Sequence, residues 1–76
     1  MSKLPAISGE KAVNCFEKPG YVIVRQKGSH IRMKHKSDKS KKPLTIPKHK
    51  VLGKGLLRKM LRDAEISVEE FNELLC

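Results

Sequence analysis

Cysteine is scarce and poorly spaced for chemistry. Cys15 and Cys76 are the only two, too few to staple a small secreted scaffold, and no C-x-x-C pair suggests zinc. Long apolar runs are missing too. None approaches the ~18 residues of a membrane span, and the N-terminus lacks a signal peptide's apolar core. The expectation is a reduced, cytoplasmic protein. Length sets a further limit: 76 residues make one domain, residues 1–76, too small for a large enclosed cofactor cavity. Acids are almost absent where bases are dense, with Asp38 alone among 14 basic residues from Arg25 to Arg62. The other seven acids lie toward the two ends and read as helix surface. No carboxylate pair sits at a spacing that suggests acid–base work.

What is present is positive charge. The net is +9, from 17 Lys and Arg against 8 Asp and Glu. A field so polarised along the chain points to a polyanion, and nucleic acid is the commonest one for a small domain. A solvated lysine face kept for solubility, or an acidic protein or membrane partner, would use the same residues.

The patterning gives an α+β order, α-β-β-β-α-α. Ser8 reads as an N-cap, with Ile7 and Ala12 spaced as a hydrophobic staple. Ala12, Val13 and Phe16 form an apolar stripe that Pro19 and Gly20 end. The β-branched run Tyr21–Gln26 reads as a strand, and Lys27-Gly28-Ser29 as a turn. His30–His35 alternates, sending Ile31 and Met33 to a core and His30, Arg32 and Lys34 to the other face. Lys36–Lys42 has no apolar residue and reads as a mobile loop. Leu44-Thr45-Ile46, between two prolines, is an edge strand. Leu57, Met60, Leu61 and Ala64 recur at helical spacing after Gly53 and Gly55. Ser67-x-x-Glu70 is a capping box opening a last helix with Val68, Phe71, Leu74 and Leu75 inward. The sum is a three-stranded antiparallel sheet with helices on one face, without repeats or an internal linker.

Few groups here can do chemistry. His30 and His35 point to opposite faces of one strand and cannot share a metal without a bulge, so neither metal nor cofactor is expected. Gly53-Lys54-Gly55 is too short for a phosphate-binding loop, although it sets Lys54 at a helix N-terminus, which favours an anion. His30 is the sharper candidate. It starts a strand after a tight turn and shares its face with Arg32 and Lys34. An imidazole exchanges protons near neutrality, and flanking cations stabilise charge developing on a phosphorane during metal-independent RNA cleavage. A plain surface histidine touching phosphate is the bland alternative. Lys27, Arg32, Lys34, Lys48, Lys54 and Arg58 are the candidates for RNA contact.

The run Gly20-Tyr21-Val22-Ile23-Val24-Arg25-Gln26-Lys27-Gly28-Ser29-His30 resembles the signature of the HicA family of bacterial and archaeal toxins, also called YcfA-like. In that family a glycine and an aromatic precede a strand that ends in Gly-Ser-His. Thr45-Ile46-Pro47-Lys48-His49 is similar to its apolar-Pro-x-His stretch, and Gly55-Leu56-Leu57-Arg58-Lys59-Met60-Leu61 to its Gly-x-Leu-x-x-Ile/Met-Leu helix opening. Ser67-Val68-Glu69-Glu70-Phe71 resembles its closing helix. Pro19 departs from the small or polar residue more usual before the glycine.

The resemblance implies a fold like that of a double-stranded-RNA-binding domain and a ribonuclease toxin that cleaves mRNA through His30. It also implies a HicB-type antitoxin that covers the active face; no homo-oligomer is required. Gly28 would allow close backbone approach, and Ser29 would offer a hydrogen bond to phosphate. His49 is the second candidate for the site, able to come near His30 if its strand pairs beside that of His30. The competing expectation is a non-catalytic RNA-binding module using the same basic face, which reads shape and needs no histidine.

Overall fold

Ser8 and Ser67 start two of the three helices. In the computed structural model, which describes residues 4–75, Ser8 Oγ accepts from Lys11 N at 3.1 Å and opens α1, Gly9–Glu17. Ser67 Oγ accepts from Glu70 N at 3.0 Å and opens α3, Val68–Leu74. Each hydroxyl satisfies a backbone donor that the first helical turn leaves without a partner. Between them lie β1 (Tyr21–Lys27), β2 (His30–His35), β3 (Leu44–Pro47) and α2 (Lys54–Ala64). The order is therefore α-β-β-β-α-α, as the patterning predicts. Among the described residues no helix is long and apolar enough to cross a membrane.

The sheet is antiparallel in the order β1-β2-β3, so His30 sits on the central strand. Gly28 and Ser29 alone connect β1 to β2, and Gly28 takes φ +59°, a conformation that costs glycine little. Ile31 and Met33 of β2 join Leu44 and Ile46 of β3 in the core, together with Phe16, Leu57, Met60, Leu61 and Phe71. Phe16 packs edge-on to Tyr21 and tilted against Phe71, with ring centroids 6.1 and 5.4 Å apart. At the other end of α3, Val68, Leu74 and Leu75 only pack against the margin of that core.

Glycine is required where α1 meets β3. A Cβ on Gly9 would lie 2.0 Å from the carbonyl oxygen of Pro47, and Gly9 N donates to His49 O at 2.9 Å. That contact fixes the start of α1 against the strand paired with His30.

The lysine-rich loop after β2 differs from the mobile segment its composition suggests. His35 Nδ1 accepts from Asp38 N (2.8 Å) and Ser37 N (3.3 Å). That leaves Nε2 as the donor to Pro19 O, 3.0 Å away. The Asp38 carboxylate accepts from Ser40 N and Oγ. Lys41 Nζ donates to Ala64 O and Lys42 N to Asp63 O, answering carbonyls at the end of α2. Tyr21 OH donates to Lys42 O. Backbone and short polar side chains tie the segment down, and hydropathy does not report such bonds.

Candidate functional site

Two rows of residues cross the solvent face of the sheet. Lys27, His30 and Pro47 are register partners on β1, β2 and β3, and Arg25, Arg32 and Thr45 form the next row. Partners directly across an antiparallel sheet share a face, so both rows oppose the face where Ile31 and Met33 are buried. The rows exist because β1 is irregular. Its register slips by one between Ile23 and Arg25, leaving Val24 with no partner. Regular pairing continued from Tyr21 and His35 would set Arg25 opposite Ile31, on the core side. The bulge turns Arg25 and Lys27 to the face of His30 instead.

The rows form a shallow basic concavity of about 260 Å³ lined by Arg25, Lys27, His30, Arg32 and Thr45. Thr45 Oγ1 accepts from Arg32 Nη1 at 3.3 Å. A second concavity of about 430 Å³ shares His30, Arg32 and Thr45 and continues over the β3 edge to α2. Directly opposed like charges repel, and Arg25 stands across from Arg32. An anion between them would relieve that repulsion, and the donors that would hold it stand on a pre-formed sheet.

A family model covers most of the chain. The model of the HicA toxin of bacterial toxin–antitoxin systems matches residues 9–66, from the glycine packed on Pro47 to the end of α2 and two residues beyond. The chain belongs to the HicA family. It is therefore a toxin of a toxin–antitoxin system, and an antitoxin is its partner. No curated protein and no solved structure matches the chain.

The structure brings some of the predicted HicA-family site residues together and not others. His30, Lys27 and Arg32 meet, and Lys34 lines a further concavity with Arg32 beside the lysine-rich loop. Gly28 and Ser29 form the turn leading into His30, and Ser29 O accepts from Lys48 N at 2.6 Å. Lys48 pairs with Glu10 at 3.4 Å. Lys54 and Arg58 are exposed on α2. None of these three lines either concavity around His30, and neither does His49. His49 comes just after the strand beside β2, and its backbone carbonyl is engaged by Gly9.

Arg25, Thr45, Lys59 and Asp63 line the two concavities without having been singled out in the sequence. The facing of Arg25 depends on a bulge, which strict alternation cannot anticipate. Lys59 and Asp63 arrive from a helix far along the chain, although their i, i+4 spacing on α2 is visible in the sequence. His35, on the opposite face, packs its ring against Tyr21 with centroids 5.3 Å apart and serves the fold.

Three groups away from the two rows, Tyr21, Cys15 and Asp38, have displaced acidity. Burial pushes the Tyr21 hydroxyl up, helped by the Asp63, Glu65 and Asp38 carboxylates. It also pushes the Cys15 thiol up, against the pull of Lys11 and Lys18. The hydrogen bonds from Ser40 hold Asp38 below the usual carboxylate range. Among the described residues no group of three or more His, Cys, Asp or Glu could hold a metal ion.

Proposed function

We propose that the toxin is a metal-independent endoribonuclease that cleaves mRNA in the cytoplasm with His30 as its catalytic residue. We further propose that a HicB-type antitoxin neutralises it. The observation that carries this reading is the pair of cross-strand rows, which sets an exposed histidine among Arg25, Lys27 and Arg32. Three strands beside helices also suit the fold of a double-stranded-RNA-binding domain.

Attack of a ribose 2′-oxygen on the adjacent phosphorus forms a 2′,3′-cyclic phosphate and releases the 5′-oxygen of the next nucleotide. One proton leaves the 2′-oxygen and one arrives at the 5′-oxygen. An imidazole is the side chain suited to such transfers, and His30, the imidazole in the rows, carries one of them while water completes the other. Arg25, Arg32 and Lys27 hold the non-bridging oxygens as negative charge grows on them. Ser29 supplies a hydrogen bond to phosphate, and Lys34, Lys48, Lys54 and Arg58 extend the RNA track. One proton-transfer group contributes about 10²–10⁴-fold, which suits a slow enzyme.

Antitoxin docking has its own support beside the rows. β1 is one of the two edge strands of the sheet and exposes Val22, Ile23 and Val24 at 38, 48 and 50%. Apolar side chains next to a cationic face suit an acidic protein that covers both.

The test is cleavage of a long single-stranded RNA in excess EDTA by the native protein and by His30→Ala, with thermal melts of both. Cutting by the native protein alone, to 2′,3′-cyclic phosphate or its hydrolysed 3′-phosphate, is the expected result. Binding without cutting by both proteins would make the chain an RNA-binding module, and a 5′-phosphate product would refute attack by the 2′-oxygen.

A further inference from the structure

The concavity on the α2 side of His30 is built differently from the basic one. Its lining includes Pro43, Pro47, Leu56 and Met60, together with the Lys59–Asp63 ion pair. Leu56, Lys59 and Asp63 fall at i, i+3 and i+7 on α2, a single stripe beside the buried stripe of Leu57, Met60, Leu61 and Ala64. At about 430 Å³ the space lies within the ~300–1,000 Å³ usual for small-ligand sites. It adjoins His30 directly.

Single-stranded nucleic acid is usually gripped by stacking its bases on aromatic rings. This chain offers no phenylalanine, tyrosine or tryptophan ring for that purpose, because Phe16, Tyr21 and Phe71 are its only such residues and all three are buried. With the His30 ring engaged at the phosphate, a base lying beside it packs on aliphatic surface or on a guanidinium plane. The concavity between the two prolines, Leu56 and Arg32 is where both occur together.

Among the described residues, Asp63 is the one acid lining either concavity around His30. A carboxylate repels phosphate, so its place next to the basic concavity suits a ligand group that donates hydrogen bonds. Oδ2 takes Lys59 Nζ at 3.3 Å, and Oδ1 has no hydrogen-bond partner among the described residues. The Asp63 side chain is only 18% exposed, against 72% for Lys59, so the lysine can swing away while the carboxylate stays.

We propose that this concavity is a nucleobase subsite in which Asp63 reads the Watson–Crick edge of the base beside the cleaved bond. The proposal deepens the ribonuclease reading and rests on it. Guanine fits best, because its N1–H and N2–H lie side by side and reach both carboxylate oxygens once Lys59 gives way. Adenine and cytosine offer one amino group each. Uracil places its single N–H between two carbonyls that the carboxylate repels.

The test uses His30→Ala, which separates binding from cleavage, and fluorescein-labelled uridine hexamers with guanosine, adenosine, cytidine or uridine at the third position. Anisotropy titrations should rank guanosine first, about tenfold tighter than all-uridine, with adenosine and cytidine between. Adding Asp63→Asn should remove most of the guanosine advantage. Adding Lys59→Ala, which breaks the same ion pair but leaves the carboxylate, should preserve it. Equal binding of all four hexamers overturns the subsite alone, as does a guanosine advantage that survives Asp63→Asn. If no hexamer binds, the RNA reading fails and the subsite fails with it.

Discussion

Arg25 stands directly across the sheet from Arg32 because Val24, one residue earlier, has no partner on β2. Like charges on directly paired positions of a sheet cost stability unless something anionic separates them. Natural sheets keep bulges where they re-aim a side chain, and such positions often adjoin active sites.

Arg25→Ala is accordingly expected to move activity and stability in different directions. Cleavage of single-stranded RNA should fall at least about tenfold, while the melting temperature stays level or rises, since an exposed substitution changes stability by about 0.5 kcal/mol or less. Binding by the His30→Ala background should lose about 0.7 from its salt slope, the share of one phosphate contact on a single strand. Arg25→Lys should recover the slope but only part of the cleavage, because an ammonium cannot hold two oxygens in a fork. An unchanged slope would remove Arg25 from the phosphate site.

His35 should behave as the mirror image of His30. Its ring accepts from two backbone N–H groups and donates to Pro19 O, so His35→Ala leaves three backbone groups without these bonds. A cost of about 1–3 kcal/mol is expected, seen as a lower urea midpoint at unchanged m-value. His30→Ala should leave that midpoint where it is.

Gly9→Ala tests the seam between α1 and β3. The added methyl would meet the Pro47 carbonyl oxygen 2.0 Å away, and backbone on both sides must move. A loss of about 1–3 kcal/mol follows, lowering Tm by about 4–8 °C per kcal/mol in a domain this small. Gly55→Ala serves as the control, since a Cβ there meets no atom within 4 Å.

Acid should loosen the lysine-rich loop through Asp38. Bonds from Ser40 make the folded carboxyl a stronger acid than the unfolded one. Its contribution to stability is therefore complete above the ordinary carboxylate range and is lost as pH falls through the folded value. Asp38→Asn should flatten the dependence of Tm on pH below about 4, and an acid limb identical to the native one would refute the link.

Cys15 is expected to resist thiol reagents while the protein is folded. It is buried with its thiol pushed up, and the thiolate is the reactive form. In a Cys76→Ser background, reaction at pH 8 should follow global unfolding and accelerate on adding urea. Rapid reaction in buffer alone would contradict the buried placement.

Much of this molecule could be read from order and spacing. Two serine caps, the Gly28 turn, the alternation of His30–His35 and the stripe from Leu57 to Ala64 are local signals. Capping, left-handed turns and apolar periodicity act over a few residues, so the chain itself determined its elements, its α+β order, the inward residues of β2 and the exposure of His30. The basic character of the middle segment was equally explicit. Tertiary structure decided what shares a face and what shares a groove. A one-residue slip in β1 turned Arg25 toward His30, and the packing of α2 beside β3 carried Asp63 and Leu56 to the same groove. His49, adjacent in sequence to the strand that flanks His30, ended outside both concavities. Strand register and helix docking depend on contacts between residues far apart in the chain, and no local pattern carries that information.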